Sequence, residues 1–359
     1  FFKTKGKQKF DSRIFFDKKK KLNDKLKIVS LIIDPNDFFN YETGIYVQGI
    51  HGHPNNPKKG NYSQRGVGWK KNVTVHLFNN NGEVQIKTLG EVKIHGDFSR
   101  SQPQKSFSLI FNASSKEGPI EARLFNKKQK FHRLLLRTPF TSAPQGESLI
   151  SDSYLANIAN NLGLDAMGSE PVNVFLNGEY WGLYHLREKI NEHYLKEKYS
   201  ISNNSISIVK YDSESENSYR AVHGEKGDWI NLINYISSND LSKDNVYDYV
   251  CQKIDINNFI DYLIVQTFFG NKDWPGNNFK FWKSTEKDNK WRFIIYDLDA
   301  TFRKDNMFAY LQSETQKGLN HPKSTVLFVQ LFKNPTFQSK LRSRYFELLH
   351  TELNSTKLI

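Results

Sequence analysis

The segment NKDWPGNNFKFW, residues 271–282, separates an apolar stretch with helical spacing from an aromatic run, and it places a carboxylate, Asp273, just before two carboxamides. A Pro-Gly pair favours a turn and Asn tolerates turn geometry, so the pattern predicts a polar loop between a helix and a strand. Carboxylate and carboxamide oxygens are also the ligands that Mg²⁺ prefers, which makes a metal-phosphate site the alternative. The flanking sequence has to decide between these two interpretations.

The residues from about 27 to 131 predict a β-rich region, because short alternating runs are separated by turn residues. The turn Asn79–Gly82 predicts a hairpin between two of these runs. The predicted strands lie in KIVSLIID, GIYVQGI, NVTVHLF, GEVQIKTLGEVKIHG and KSFSLIFN.

The periodicity changes after Leu149. Apolar residues at helical spacing predict a helix that Gly163 ends, and Asn177-Gly178 predicts a second hairpin. After Lys189 the pattern is largely helical, interrupted by the opening segment and by the strand in KWRFIIYDLDATF. We therefore expect an α+β protein with a basic extension at residues 1–27, a β-rich lobe at about 28–190 that includes one helix, and a helical lobe at about 191–359.

Composition narrows the classes of partner. The formal net charge of +13 and the pI near 9.4 favour an anionic partner. The sequence has no recognition helix, zinc finger or RNA-binding aromatic signature, so nucleic acid is not the predicted partner. A single cysteine, Cys251, excludes an internal disulfide and a Cys-based metal site, and no apolar run is long enough to cross a bilayer. The opening FFKTKGK, without Met, is what we expect of a trimmed mature form or of a domain from a longer chain.

Two acidic motifs favour phosphoryl-transfer chemistry. Asp273 and Asn278 have the D-x-x-x-x-N interval that separates the base from the metal-binding Asn in the protein-kinase catalytic loop, although a surface turn has the same pattern. Asp297 and Asp299 follow an apolar strand, where we expect their side chains to point to one side and to share a cation. The alternative for this pair is capping of the next segment, or ion pairing with Arg292 or Arg303. Both motifs together, in kinase order, favour the chemical interpretation.

A cation for the phosphates is predicted in HGDFSRSQPQKSFSLIF. It contains Arg100 and Lys105 around a turn, and Lys105 enters an apolar strand that precedes the helix with Asp152. A strand lysine paired with a helix carboxylate positions ATP phosphates in protein kinases. Neither a P-loop nor a dinucleotide-binding motif is present.

Several motifs together carry a family resemblance: GIYVQG, NYSQRGVGW, VKIHGDFSRSQPQKSFSL, LLLRTP, VFLNGEYWGLYHLREKI, NKDWPGNNFKFW and KWRFIIYDLDATF. With these motifs the chain resembles the CotH kinase family, the spore coat protein H-like atypical protein kinases, from about Ile28 to Phe302. The resemblance implies a divergent two-lobed protein-kinase-like fold that uses ATP with Mg²⁺ or Mn²⁺ to phosphorylate Ser or Thr of secreted or surface proteins, outside the cytoplasm.

The resemblance implies roles for residues on the nucleotide side of the site. Lys105 resembles the phosphate-binding lysine, and Arg100 lies in the loop expected to approach the phosphates. Asp152 is expected to orient Lys105, although Ser151 stands where the family usually has Arg. The stretch from Leu186 to Glu188 is expected to form the hinge against adenine.

On the catalytic side, Asp273 resembles the catalytic-loop aspartate. Asn278 and Asp297 resemble the metal ligands, and Asp299 supports them. The stretch GVGWKK departs from a more acidic family pattern, so substrate contacts there are expected to differ.

The sequence is also compatible with two other functions. A kinase-like fold can bind ATP inverted and transfer the nucleotide, and no residue in the sequence excludes this. The second alternative is a surface module without activity, in which the basic face binds an anionic polymer and the acidic site is vestigial. The expected partner of the kinase is a Ser/Thr-rich surface or coat protein.

Overall fold

The computed structural model of the chain describes residues 26–111, 118–138, 150–302, 306–309, 311 and 322–358. The predicted basic extension at residues 1–27 lies almost entirely outside this range. The chain divides into two compact units, each with its own hydrophobic core. Described residues up to 138 and residues 170–188 form the first unit, and residues 150–169 and those from 189 onward form the second.

The chain is an α+β protein, as predicted. Its strands are β1 (Lys27–Ile32), β2 (Lys71–Phe78), β3 (Val84–Ile94), β4 (Phe107–Ile110), β5 (Ile120–Leu124), β6 (Lys127–Phe131), β7 (Arg133–Arg137), β8 (Asp165–Ala166), β9 (Ser169–Leu176), β10 (Glu179–Glu188), β11 (Ile206–Tyr211), β12 (Tyr219–His223), β13 (Lys280–Ser284) and β14 (Arg292–Ile295). Its helices within the described residues are α1 (Pro35–Phe39), α2 (Ser151–Asn161), α3 (Glu192–Tyr199), α4 (Gly227–Ser238), α5 (Asp244–Lys253), α6 (Ile256–Phe268), α7 (Pro322–Leu331), α8 (Pro335–His350) and α9 (Ser355–Leu358).

In the first unit seven strands close into a barrel in the order β1-β2-β3-β4-β7-β10-β9. The barrel closes where β1 pairs in parallel with β9, and the pairs from β1 round to β10 are antiparallel. Aliphatic side chains such as Val29, Val75 and Leu109, together with aromatic ones such as Phe111, fill its interior. Alternation along each strand directs these residues inward, because successive side chains point to opposite faces.

Both predicted hairpins are confirmed. In the turn between β2 and β3, the Asn79 N–H donates to Glu83 O at 3.0 Å. Between β9 and β10, Asn177 and Gly178 have φ of +50° and +91°, the left-handed values that a two-residue hairpin turn requires.

The prediction of a strand in GIYVQGI is wrong. The backbone there turns instead of extending, because Ile45 N–H donates to Asp37 O at 3.0 Å and Tyr46 N–H donates to Phe38 O at 3.0 Å. Gly49 has φ of +55°, and a side chain at that position would collide with Asn61 and with Tyr41 O. The alternating apolar residues therefore pack a loop against α1.

The second unit contains a five-stranded sheet in the order β12-β11-β13-β14-β8 together with its helices. The rings of Phe281 and Phe293 on one face pack against Trp229 of α4 and Phe259 of α6. The predicted helices α2, α4, α5 and α6 are confirmed, and Gly163, with φ of +82°, follows the end of α2. The strands β11 and β12 were not predicted.

One buried polar group holds the other face of this sheet. Asp165 of β8 is 1% exposed, and its carboxylate accepts hydrogen bonds from Trp282 Nε1 at 2.7 Å, Lys198 Nζ at 2.7 Å and Tyr199 Oη at 3.0 Å. A buried carboxylate is tolerated when its oxygens are satisfied in this way. Asp165 therefore attaches α3 to the sheet. Across the described part of the chain, no helix combines the length and apolarity needed to span a bilayer.

Candidate active site

The loop at residues 271–278 leaves α6 and enters β13, as predicted. Its first residue, Asn271, is fully buried, and its Nδ2 donates to Gln266 Oε1 at 2.8 Å. Asn271 Oδ1 accepts from the Asp273 N–H at 3.2 Å. The following Trp274–Pro275 peptide bond is cis, and Trp274 is buried. The loop is thus anchored to α6 at its start, and Asp273 is held by its backbone.

The spacing of Asp273 and Asn278 brings the two side chains into contact. Asp273 Oδ2 accepts a hydrogen bond from Asn278 Nδ2 at 3.0 Å, and Oδ1 accepts one from Asn277 Nδ2 at 3.0 Å. Asn278 has φ of +55°, which Asn tolerates better than most residues. Because the Asn278 amide nitrogen serves Asp273, its Oδ1 is the atom suited to a cation. The contribution of Asn277 was not predicted, although its place in the loop was a usable signal.

Asp297 reaches the same end of the sheet from the neighbouring strand. The antiparallel register of β13 and β14 sets Lys280 opposite Ile294, so the start of β13, after Asn278, adjoins the end of β14, before Asp297. The chain then leaves the sheet with φ of +62° at Asp297. Two backbone hydrogen bonds join the loops that carry these residues, from Lys272 N–H to Ala300 O and from Phe302 N–H to Phe269 O.

The strand geometry expected for Asp297 and Asp299 is not observed. β14 ends at Ile295, so strand alternation does not apply to either residue, and both are half-buried. Of the two arginines considered as partners of this pair, Arg292 instead forms ion pairs with Asp255 at 3.1 Å and with Asp288, and Arg303 lies outside the described residues. The supporting role of Asp299 stays a prediction.

Asp152 contacts the acidic loop. It lies in the first turn of α2, and its Oδ1 accepts the Leu298 N–H at 2.9 Å, between the two aspartates of the loop. This bond positions the loop that carries Asp297. The predicted interaction of Asp152 with Lys105 stays a prediction.

Tyr296 connects the electrostatics of the two acidic motifs. Burial raises the pKa of its phenol well above the usual value, and the charges of Tyr262, Asp297 and Asp273 raise it further. Both carboxylates are therefore close enough to Tyr296 to influence its ionisation. The phenol stays neutral at ordinary pH.

A lysine that the sequence did not single out accompanies these residues. Lys280, the first residue of β13, is 7% exposed, and its Nζ lies 4.3 Å from the centroid of the Tyr296 ring. Burial lowers the pKa of Lys280 to about 7, helped by the positive charges of Lys189 and Lys210 and opposed by Asp297. Its position between two aromatic residues in FKF is the signal that the sequence offers for a buried lysine.

The donor atoms suit a hard cation. Asn278 offers a carboxamide oxygen and Asp297 a carboxylate, and Mg²⁺ takes one or two such ligands while keeping several waters. Among the described residues no group of three or more His, Cys, Asp or Glu side chains is arranged to hold a metal. The residues therefore fit magnesium or manganese with further oxygen ligands from water or substrate, and they do not fit an all-protein zinc cage.

In the first unit, Lys105 is nine-tenths buried two residues before β4. Its Nζ donates to Gln102 O at 2.6 Å and lies over the rings of Tyr62 and Tyr46, at 4.3 and 5.0 Å. Burial lowers the pKa of Lys105 to about 8. Within the residues that the structure describes, Lys105 forms no ion pair in this unit. Lys105 is thus a buried ammonium group with a carbonyl acceptor and two aromatic faces around it, and its role on phosphate stays a prediction.

Arg100 has a structural role in the turn before Lys105. Its Nε donates to Gly96 O at 2.6 Å, Nη1 donates to Tyr62 O at 2.9 Å and to Gln64 O at 3.2 Å, and Nη2 donates to Ile94 O at 2.9 Å. With its guanidinium bound to four carbonyls, Arg100 fixes the turn. A direct contact of Arg100 with phosphate stays a prediction.

The two residues predicted for the hinge lie in β10. Leu186 points into the barrel core, and Glu188 is buried, with its carboxylate bound to Lys127 Nζ at 2.9 Å and to Gln129 Nε2. Glu188 therefore attaches the hairpin β5–β6 to the barrel wall. The hinge role of both residues stays a prediction.

The sequence matches a known protein family. The family model described as CotH kinase protein matches residues 92–359, which include every residue of the acidic motifs. The chain belongs to the CotH kinase family. No curated protein matches the chain.

One solved structure similar to this CotH family member is the crystal structure of CtkA, a proinflammatory kinase from Helicobacter pylori. It has 13% sequence identity and a TM-score of 0.27, with 61% of this chain and 63% of that chain covered. The match spans less than two thirds of the length of CtkA.

Proposed function

We propose that this CotH family member is an atypical protein kinase that transfers the γ-phosphoryl group of ATP to Ser or Thr of a protein substrate with Mg²⁺ or Mn²⁺. The proposal includes a two-lobed kinase-like arrangement of the units and a location outside the cytoplasm, on secreted or surface substrates. One observation carries it: the Asp273 carboxylate hydrogen-bonds Asn278 at 3.0 Å, beside the strand end that carries Asp297.

This arrangement supports phosphoryl transfer because it combines a positioned carboxylate with oxygen ligands for a cation. In the proposed step the acceptor hydroxyl gives its proton to Asp273 and its oxygen bonds to the γ-phosphorus. The bond from that phosphorus to the β–γ bridging oxygen then breaks, and ADP leaves. Asn277 and Asn278 hold the carboxylate in one orientation throughout.

Asn278 and Asp297 would hold the metal, which neutralises charge on the phosphates when it is bound. Lys105 would supply a further cation to the non-transferred phosphates, and Asp152 would keep the Asp297 loop in position through Leu298 N–H. These assignments extend the family membership to single residues and are part of the proposal.

The test is intact-mass spectrometry of the full chain with a Ser/Thr-rich acceptor, before and after incubation with ATP and Mg²⁺ or Mn²⁺. We expect phosphoryl units to be gained by the parent and by the control Asp240→Ala, an exposed aspartate of the same unit. Asp297→Ala is expected to lose the transfer while it keeps the parental circular dichroism spectrum. Parental activity in Asp297→Ala would refute the assignment of the metal ligand.

The same spectra separate the two alternatives. A gain of nucleotide units would identify a nucleotidyl transferase. No gain with either metal, together with salt-sensitive polyanion binding that survives in Asp297→Ala, would identify a binding module.

A further inference from the structure

We infer that Lys280 is a second phosphate-binding cation of this site, located on the sheet that carries the acidic motifs and contacting the phosphate chain of the nucleotide. The inference rests on the proposed function for the identity of the nucleotide. It extends that function to a residue that the family comparison does not assign.

Lys280 is a buried cation with no carboxylate in ion-pair contact among the described residues, and the charge of Asp297 acts on it only from beyond that distance. Its residue is 7% exposed, and its ammonium group has no hydrogen bond and no ion pair within the part of the chain that is described. Among the described residues, the Tyr296 ring, 4.3 Å from Nζ, is its one contact that stabilises a positive charge. Burying an ammonium group is costly unless it is paired, and an aromatic face replaces only part of the lost hydration. An anion at this position would satisfy it.

The strand register explains why this cation has no partner. Lys280 pairs with Lys210 of β11, and Lys210 pairs with Arg220 of β12, so the three cations form one row on the same face of the sheet. Asp212 serves the other two, accepting from Arg220 Nε at 2.8 Å and lying 3.6 Å from Lys210 Nζ. The positive row is therefore compensated at its outer end only.

The carboxylate at the other end of the row is also committed. On the far side of Lys280 the row continues through Ile294 to Asp165. Asp165 is bound by Lys198 and Trp282, both at 2.7 Å. Of the three cations in this row, Lys280 is therefore the one whose charge is available to a ligand.

Its position indicates a phosphate. Lys280 follows Asn278 by two residues and lies opposite Ile294, three residues before Asp297. A ligand that contacts both a metal ion at these oxygen ligands and the Lys280 ammonium needs several negatively charged oxygens. A polyphosphate has this property. The phosphate chain of a nucleotide can then engage the cation at one group and the Lys280 ammonium at another.

The chain contains a matched control, Lys283. It lies on the same strand but on the opposite face, it is equally buried, and it has a carboxylate partner in Asp228. Replacing either lysine by Met removes one buried ammonium group from β13. The two variants therefore differ in whether a protein anion or a ligand balances the charge.

The experiment is calorimetric titration of the full chain with inorganic tripolyphosphate, citrate, ATP and adenosine, each with and without Mg²⁺. For Lys280→Met we expect a loss of affinity on the order of tenfold or more for tripolyphosphate and ATP, and unchanged affinity for adenosine. Lys283→Met is expected to keep the parental affinities. Without ligand, Lys280→Met is expected to unfold at a higher temperature than the parent, and Lys283→Met is not.

Each result has a defined meaning. Parental affinity of Lys280→Met for tripolyphosphate would overturn the inference, and so would equally tight binding of citrate, because the site would then not select phosphate. Transfer of phosphate by the parent with no effect of Lys280 on tripolyphosphate would preserve the kinase and overturn the subsite. Lys280-dependent binding of tripolyphosphate without any transfer would preserve the subsite and overturn the kinase. A parent that binds neither tripolyphosphate nor ATP would overturn both.

Discussion

Replacing Lys105 by Met is expected to stabilise the folded chain at neutral pH, although the lysine is proposed to be functional. Burial lowers its pKa from 10.5 to about 8. Below pH 8 the lysine is charged in both the folded and the unfolded chain, and burial disfavours the charged form. The lowered pKa therefore means that the charged lysine reduces the free energy of unfolding by about 3 kcal/mol in this pH range. The variant also loses the hydrogen bond to Gln102 O, and this loss destabilises it by about 1 kcal/mol. The net expectation is a gain of about 2 kcal/mol at pH 7.

The pH dependence follows from the same shift. Between about pH 8 and 10.5 the lysine is neutral in the folded chain and still protonated in the unfolded chain, so the unfolded state binds more protons. The stability of the parent therefore rises with pH across this interval. The advantage of Lys105→Met is fully present below pH 8, and most of it disappears by pH 10.

The assay is urea unfolding of both full chains at pH 7 and pH 10, followed by tryptophan fluorescence. The control is Lys71→Met, which removes a lysine that has a carboxylate partner, Asp37, at 3.4 Å; we expect a change of about 1 kcal/mol or less. A Lys105→Met variant less stable than the parent at pH 7, or one whose advantage is the same at both pH values, would refute the reasoning.

Two further predictions concern the second unit. Asp165→Ala should lower the unfolding free energy by about 3–5 kcal/mol, because it leaves Lys198 and Trp282 without their buried acceptor. Urea unfolding measures this loss, with Asp240→Ala, at an exposed aspartate, as the control. A loss below about 1 kcal/mol would contradict the role of Asp165. Asn277→Ala should reduce kcat by on the order of tenfold and leave KM for ATP nearly unchanged, because it frees one Asp273 oxygen from its orienting hydrogen bond. Steady-state kinetics provide the measurement, and a change in KM alone would exclude an orienting role.

The elements that the sequence predicts correctly are those with a local cause. The turn at Asn177-Gly178 needs left-handed backbone at two successive positions, and these two residues tolerate it. The contact between Asp273 and Asn278 also has a local cause, since five residues of one loop determine it, but the roles predicted for the two residues stay predictions. Patterns of this kind are readable without knowledge of the rest of the chain.

The features that were missed depend on distant partners. The strand β11 contains two polar residues, Ser207 and Lys210, that are half-buried in the fold. They weaken the alternation of apolar and polar residues by which a strand is recognised in a sequence. The binding of Arg100 to four carbonyls, one of them 38 residues away, has no local signature. The partner of Asp152 lies 146 residues away, on Leu298, and Lys280 becomes notable only when its row on the sheet is known.

The parallel pairing of β1 with β9 has a consequence for biosynthesis. Lys27 pairs with Val172, so the first strand of the barrel meets its closing partner only after the intervening chain, including α2 of the second unit, has been made. At the usual rates of translation this interval lasts on the order of 10 s. During that time the nascent chain presents β1 with one edge open, and cellular factors that bind exposed strand edges can act on it. Ribosome-bound chains that stop before Ser169 are therefore expected to associate with holdase chaperones, and chains that extend past Glu188 with room to leave the exit tunnel are expected to release them.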